Sequence, residues 1–230
     1  MKENNQIELE SLITDEQQLK NLNDFMQMSF VYESAMGIMR TKLDVLQKEY
    51  SLAHGYNPIH TIESRLKKPL SIVNKLRRKN LEISIDAVRR NLKDVAGMRI
   101  ICNYKNDVYT IVEVLKRQLD VSVVEEKDYI KSPKENGYRS YHLVVTVPVY
   151  FTNRAETVPI EIQIRTIAMD FWASLEHKMR YKKNIPENHV KYLQDELYDC
   201  ARQSAELDNR MQNIRNLIAE EAEEEDHCTL

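Results

Sequence analysis

The stretch Pro159-Ile160-Glu161-Ile162-Gln163-Ile164-Arg165 decides the fold. Successive side chains of a strand point to opposite faces, so Ile160, Ile162 and Ile164 form a core row and Glu161, Gln163 and Arg165 a polar one. A sheet with one solvated face gives the same alternation. What makes the polar row a candidate site is its neighbourhood. The strand-like run 141–149 follows Lys134-Glu135-Asn136-Gly137-Tyr138-Arg139-Ser140, a loop dense in groups suited to phosphate and base recognition.

Working outward, 141–149 and 158–165 flank the turn 151–156 and read as an antiparallel hairpin. Upstream, Lys93-Asp94-Val95-Ala96-Gly97-Met98-Arg99-Ile100-Ile101-Cys102 reads as a strand entered past Gly97, with Asp94 at its mouth and Arg99 within it. Between them, 108–119 patterns as a helix and 121–125 as a short strand. Downstream, 167–182 reads as a helix that starts directly after the Glu161 strand and carries Asp170 and His177; a lone histidine there is more often structural. The middle of the chain is thus a mixed sheet with helices around it.

Further upstream, Pro69 suits the first turn of a helix. From there Ser71, Lys75 and Arg78 share one face, and Ile72, Val73 and Leu76 supply the buried one. A charge run is usually a solvated face. Between Arg65 and Lys79, however, there is no acidic residue, so these cations lack local partners and suit a polyphosphate. Ser84 caps a short helix reaching Val88. Two long helices complete the chain. The first starts at the capping-box pattern Thr14-Asp15-Glu16-Gln17 and runs to about Tyr50. The other carries the stripe Leu193, Leu197, Ala201, Leu207, Met211, Ile214 and Ile218 and ends in an acidic run, 220–226, read as frayed and solvated. The expected division is a helical extension over 1–54, a catalytic unit over 55–185, and a helix with its tail over 186–230.

The composition narrows the class. At 230 residues the chain fits one ordinary domain, and a net charge of −3 argues against a nucleic-acid-coating protein. Cys102, Cys200 and Cys228 match neither a disulfide framework nor a zinc spacing. No signal core or membrane-length apolar run is present, so a soluble cytoplasmic protein is expected.

Asp94 and Glu161, with cations around a phosphate-sized gap, are what magnesium-assisted phosphoryl or nucleotidyl transfer needs, because Mg2+ takes one or two carboxylates and otherwise binds substrate phosphates. No P-loop and no G-x-G-x-x-G occur. With four glycines in all, the phosphates must be held by side chains.

The sequence S-R-L-K at 64–67, K-D-V-A-G-M-R-I at 93–100, K-E-N-G-Y-R-S-Y-H-L at 134–143, E-I-Q-I-R-T at 161–166 and M-D-F-W-A-S-L-E-H at 169–177 resembles the small alarmone synthetases. These are the synthetase-only relatives of the Rel/SpoT stringent-response enzymes. The resemblance implies an α+β fold, a mixed sheet of nucleotidyltransferase-like type wrapped by helices. It implies a pyrophosphokinase moving the β,γ-diphosphate of ATP onto the 3′-hydroxyl of GDP or GTP, giving AMP and ppGpp or pppGpp. It implies Mg2+ held by Asp94 and Glu161, with Glu161 also placed to activate the 3′-hydroxyl. Arg65, Lys67, Ser71, Lys75, Arg78 and Arg99 match positions holding ATP. Tyr138 matches the tyrosine that stacks on guanine, and Lys134, His142, Gln163, Arg165, Asp170 and His177 fall to the acceptor side.

Asp170 stands where some branches have Asn, and Ser64 where others have Gly. No His-Asp dipeptide occurs, so synthesis without hydrolysis is expected. The resemblance also implies a homotetramer in which terminal helices meet. Regulation by an alarmone or RNA is a property that no residue here locates. The competing readings are an idle nucleotide- or RNA-binding module and a helical oligomerisation protein. Retention of both Asp94 and Glu161 argues against the first, and the polar row against the second.

Overall fold

The computed structural model describes residues 16–180 and 187–227. Thr14, Asp15, Pro186 and Cys228 lie outside the described residues. The elements run α1 (Glu16–His54), β1 (Ile59–Leu66), α2 (Pro69–Arg78), α3 (Ile85–Asn91), β2 (Ala96–Cys102), α4 (Lys105–Lys116), β3 (Ser122–Asp128), β4 (Tyr141–Tyr150), β5 (Ala155–Thr166), α5 (Ile167–Arg180) and α6 (Glu187–His227). The five strands form one sheet in the order β1-β2-β5-β4-β3. β2 and β5 pair in parallel and the other neighbours are antiparallel, so this is the expected mixed α+β sheet.

β5 holds the centre, and its alternation is real. Ile160, Ile162 and Ile164 are wholly buried, each contributing about 1.5–3 kcal/mol relative to exposure. They join one core cluster with Met28, Val31, Ala35, Met39 and Leu43 of α1 and with Val108, Ile111, Val112 and Leu115 of α4. The α1 residues recur every three or four positions, which gives that helix one apolar face to lay on the sheet. Glu161 and Gln163 are only partly buried on the opposite face. Short caps punctuate the fold as the sequence predicts: Pro69 opens α2, and the Ser84 side chain accepts the Ala87 N–H at the start of α3.

Three features differ from the sequence reading. β1 has no counterpart there, because its buried residues Ile59 and Ile62 are three apart, across a register shift between Ile59 and Thr61 that breaks the two-residue period. The apolar stripe of α6 packs only in its first part, where Leu193 and Leu197 are half-buried and Ala201 is buried. Ala201, Asp208 and Gln212 turn inward, while Leu207, Met211, Ile214 and Ile218 are exposed. Finally, the acidic run continues α6 to His227 rather than fraying, in keeping with the helix propensity of Glu and Ala.

Candidate active site

Register builds the site. Along one row across the sheet, Arg65 of β1 pairs with Gly97 of β2, Gly97 with Glu161 of β5, Glu161 with Val144 of β4, and Val144 with Glu125 of β3. Two residues along, the adjacent row on the same face reads Glu63, Arg99, Gln163, His142 and Lys127. Gly97, between Arg65 and Glu161, has no side chain to fill the space above it.

Over this gap lies a cleft of about 230 Å³ lined by Glu63, Ser64, Arg65, Lys67, Asp94, Gly97, Met98, Arg99, Glu161 and Gln163. It brings both predicted carboxylates together with three of the predicted ATP-side cations. Lys75 reaches it from α2. Lys67 and Lys75 each place Nζ 2.6 Å from Asp94 Oδ2. These cations therefore do have an acidic partner, supplied from 27 and 19 residues away rather than from their own segment. Burial alone would raise the Asp94 carboxyl, but the two lysines outweigh it and hold the group below its ordinary value.

The second oxygen, Asp94 Oδ1, is buried and has no hydrogen-bond partner. A carboxylate neutralised through one oxygen, with the other left bare at a cleft wall, fits a hard cation. Among the described residues no group of three or more His, Cys, Asp or Glu could hold a metal alone, so Asp94 and Glu161 would share it with substrate oxygens.

Beside this cleft is a second cluster, centred on Arg165. Although it belongs to the polar row, Arg165 is only 4% exposed. Its Nη2 donates to Tyr138 Oη at 2.6 Å and to Gln163 Oε1 at 2.8 Å, its Nη1 to Asp170 Oδ1 at 3.1 Å, and its Nε to Ser140 Oγ at 3.4 Å. Asp170 Oδ1 also lies 3.4 Å from Arg99 Nη1, joining the two clusters. Tyr138 Oη is 2.8 Å from His142 Nε2. Burial, helped by Arg165, Lys134 and Lys127, pushes His142 down to about 4. The ring is therefore neutral at neutral pH. Arg165 thus donates to the phenol oxygen from one side while the His142 ring meets it from the other. Lys134 Nζ stands 4.8 Å from the Tyr138 ring and 4.6 Å from the Tyr129 ring.

Not every predicted residue gathers here. Ser71 and Arg78 are exposed on α2, and Arg78 Nε reaches only the Asn74 carbonyl. His177 is exposed two turns beyond Asp170 and does not line the cleft. Conversely, sequence reasoning passed over Tyr129, which packs edge-on against both Tyr138 and His142. It also passed over Glu63, 3.3 Å from Arg99. Tyr129 sits just past β3, which ends three residues beyond its expected end, and only the strand's true length brings it to the site.

Comparison with known proteins agrees with this geometry. Residues 64–186 match the family described as "Region found in RelA / SpoT proteins". The chain is 48% identical over 199 residues to the GTP pyrophosphokinase YwaC of Bacillus subtilis, covering 86% of this chain and 93% of that one. It is 37% identical to the GTP pyrophosphokinase YjbM of the same organism, covering 82% and 87%. Among solved structures, small alarmone synthetase 2 from B. subtilis superposes with a TM-score of 0.74 at 45% identity, covering 84% of this chain and 98% of that one. Small alarmone synthetase 1 bound to its product pppGpp gives 0.75 at 35% identity, covering 84% and 97%. With a fold and a sequence shared over most of its length with these proteins, the chain belongs to the RelA/SpoT family, in its small alarmone synthetase branch.

Proposed function

We propose that the chain transfers the β,γ-diphosphate of ATP to the ribose 3′-hydroxyl of GDP or GTP, forming ppGpp or pppGpp and AMP. The observation that carries this reading is the single cleft holding Asp94 and Glu161 among Arg65, Lys67 and Arg99, adjoining the Arg165–Tyr138 cluster. Arg65, Lys67, Lys75 and Arg99 bind the triphosphate and spread the charge that grows on it in the transition state. For this, Lys67 and Lys75 exchange part of their hold on Asp94 for phosphate oxygens. Tyr138 offers its ring to guanine, with Lys134 moving off the ring as the base arrives.

Glu161 receives the proton of the 3′-hydroxyl as the oxygen forms its bond to the β-phosphorus. The bond from that phosphorus to the α-phosphate bridging oxygen breaks, and AMP departs with the electron pair. Asp94 and Glu161 would hold a Mg2+ ion, which would supply neutralisation of the phosphate charge. Gln163 donates to Glu161 Oε2 at 3.2 Å and keeps that carboxylate aimed into the cleft. Ser71, Arg78 and His177, exposed outside the cleft lining, serve, in this reading, only once nucleotide is bound. The exposed Leu207, Met211, Ile214 and Ile218 support assembly of copies through α6 into a homotetramer. Among the described residues no helix is long and apolar enough to cross a membrane, in keeping with work in the cytoplasm.

The test is incubation with γ-labelled ATP, Mg2+ and GDP or GTP. Label in a guanosine tetra- or pentaphosphate, with AMP formed alongside and both lost in a folded Glu161→Gln variant, is the expected result. Nucleotide binding without transfer by the unaltered chain would reduce it to a binding module. Transfer by Glu161→Gln would overturn the role given to Glu161.

A further inference from the structure

The face of α6 that packs inward carries a carboxylate where an apolar side chain would be expected. Asp208 is 6% exposed. Its Oδ2 accepts the Thr166 hydroxyl at 2.7 Å and lies 3.6 Å from Arg139 Nη2, itself buried. Burying a carboxylate is costly, and an apolar pair of similar volume is often as stable as a buried ion pair. Packing alone therefore does not explain Asp208.

Its partners do. Thr166 directly follows Arg165 and ends β5, and its oxygen also accepts the Met169 N–H at 3.2 Å, fixing the first turn of α5 where Asp170 stands. Arg139 lies between Tyr138 and Ser140, whose hydroxyls both accept from Arg165. One carboxylate thus pins the two chain segments that converge on the Arg165 guanidinium: the end of β5 and the 138–140 loop. Around it α6 is tied to the same elements. The Trp172 indole N–H donates to the Leu197 carbonyl at 2.8 Å and the Ser204 hydroxyl to the Ala168 carbonyl at 3.0 Å. Gly137 sits so close that an added Cβ would fall 2.5 Å from the Ala201 Cβ. Its φ of 85° is also one that side-chain-bearing residues avoid.

We infer that Asp208 of α6 is a positioning residue for the guanosine side of the site, acting through Thr166 and Arg139 to hold Arg165 and Tyr138 in register. The inference rests on the assignment of the Arg165–Tyr138 cluster to the acceptor nucleotide. Of the donor-side groups only Arg99, 3.4 Å from Asp170, meets an element this bracket holds. Lys67, Lys75 and Asp94 reach the cleft from the link after β1, from α2 and from the turn before β2, none of which touches Asp208 through any contact described above. Loss of the bracket should therefore weaken one substrate and spare the other.

The test compares the unaltered chain, Asp208→Asn, and the apolar double variant Asp208→Leu/Arg139→Met. GDP and ATP binding are measured by calorimetry, KM and kcat by label transfer, and folding by thermal unfolding. Asn keeps an acceptor for Thr166 and loses the charge facing Arg139; the double variant removes the bracket without burying an unpaired charge. The expected result is a rise of about tenfold in the Kd and KM for the guanosine nucleotide, the scale of one lost hydrogen bond, with ATP changed less than about twofold and the double variant unfolding near the parent temperature. Unchanged GDP affinity with lowered thermal stability would make Asp208 a packing residue and overturn the inference, as would equal weakening of both nucleotides. So would loss of fold in both variants, since that would make Asp208 a folding element. If the unaltered chain binds GDP but transfers nothing, the proposed reaction fails while the binding comparison still decides this point.

Discussion

His142 offers the most quantitative test of the site's electrostatics. Its imidazole is displaced from the ordinary value of 6.5 to about 4 by burial and by the nearby Arg165, Lys134 and Lys127. The unfolded chain therefore takes up a proton at this residue before the folded one does, and acid favours the unfolded state. The contribution is small above pH 6.5, grows as pH falls towards 4, and is constant below. Between pH 7 and pH 5 the single displaced group removes about 2 kcal/mol of folding stability, and about 3 kcal/mol once the folded form also protonates. His142→Gln keeps a hydrogen-bonding group of similar reach and cannot titrate. The assay is denaturant unfolding of both proteins at the two pH values, with the imidazole followed by NMR in the parent. The parent should lose about 2 kcal/mol more than the variant on acidification, the other histidines cancelling in the difference. Equal losses, or an imidazole titrating near its ordinary value in the folded protein, would refute the claim that a neutral ring stands against Tyr138 beside three cations.

The remaining predictions concern the cleft and α6. Asp94→Asn leaves Lys67 and Lys75 without their shared anion and should cost about 1–2 kcal/mol after allowance for partial exposure, read by denaturant unfolding. Because that carboxyl is held below its ordinary value, the difference from the parent should persist at neutral pH and vanish in acid, below the usual carboxylate range of about 4. Gly97→Leu places a side chain over the gap between Arg65 and Glu161; the nearest heavy atom to an added Cβ, the Arg65 carbonyl oxygen, is 3.6 Å away, so the chain should fold. Transfer should nonetheless fall by about a hundredfold, as expected when reacting groups are displaced by a side chain's width. Glutamate at both Leu207 and Ile214 should shift sedimentation to smaller species, since each buried leucine or isoleucine is worth about 1.5–3 kcal/mol to an interface; unchanged sedimentation would place the contact between copies elsewhere.

What was legible in the sequence follows from the range of the forces involved. The β5 alternation, the Pro69 and Ser84 helix starts and the hairpin with β4 are local, and each stands where its residues place it. β1 escaped because a single extra residue between Ile59 and Thr61 abolishes the period by which strands are recognised. Beyond Ala201 the inward face of α6 departs from its apolar stripe: Asp208 and Gln212 are buried because Thr166 and the Asn106 N–H meet them, partners that no helical wheel displays. The pairing of Lys67 and Lys75 with Asp94 likewise joins segments far apart in sequence. Asp94 and Glu161 could be singled out as chemistry, but the register that sets Gly97 between Arg65 and Glu161 needed the sheet.

The grip of two lysines on one oxygen of Asp94 has a further consequence. A site of this kind is partly self-compensated: one oxygen of Asp94 already occupies two of its cations. A free phosphate arriving alone must draw Lys67 and Lys75 from Asp94, and a divalent ion arriving alone meets a carboxylate those lysines already partly neutralise. A cation and a polyphosphate arriving together exchange partners instead, the lysines passing to phosphate as the carboxylate passes to the ion. The cleft therefore favours the complexed nucleotide over either component, and because the swap replaces one set of close, sheltered pairs by another, its affinity should depend only weakly on ionic strength.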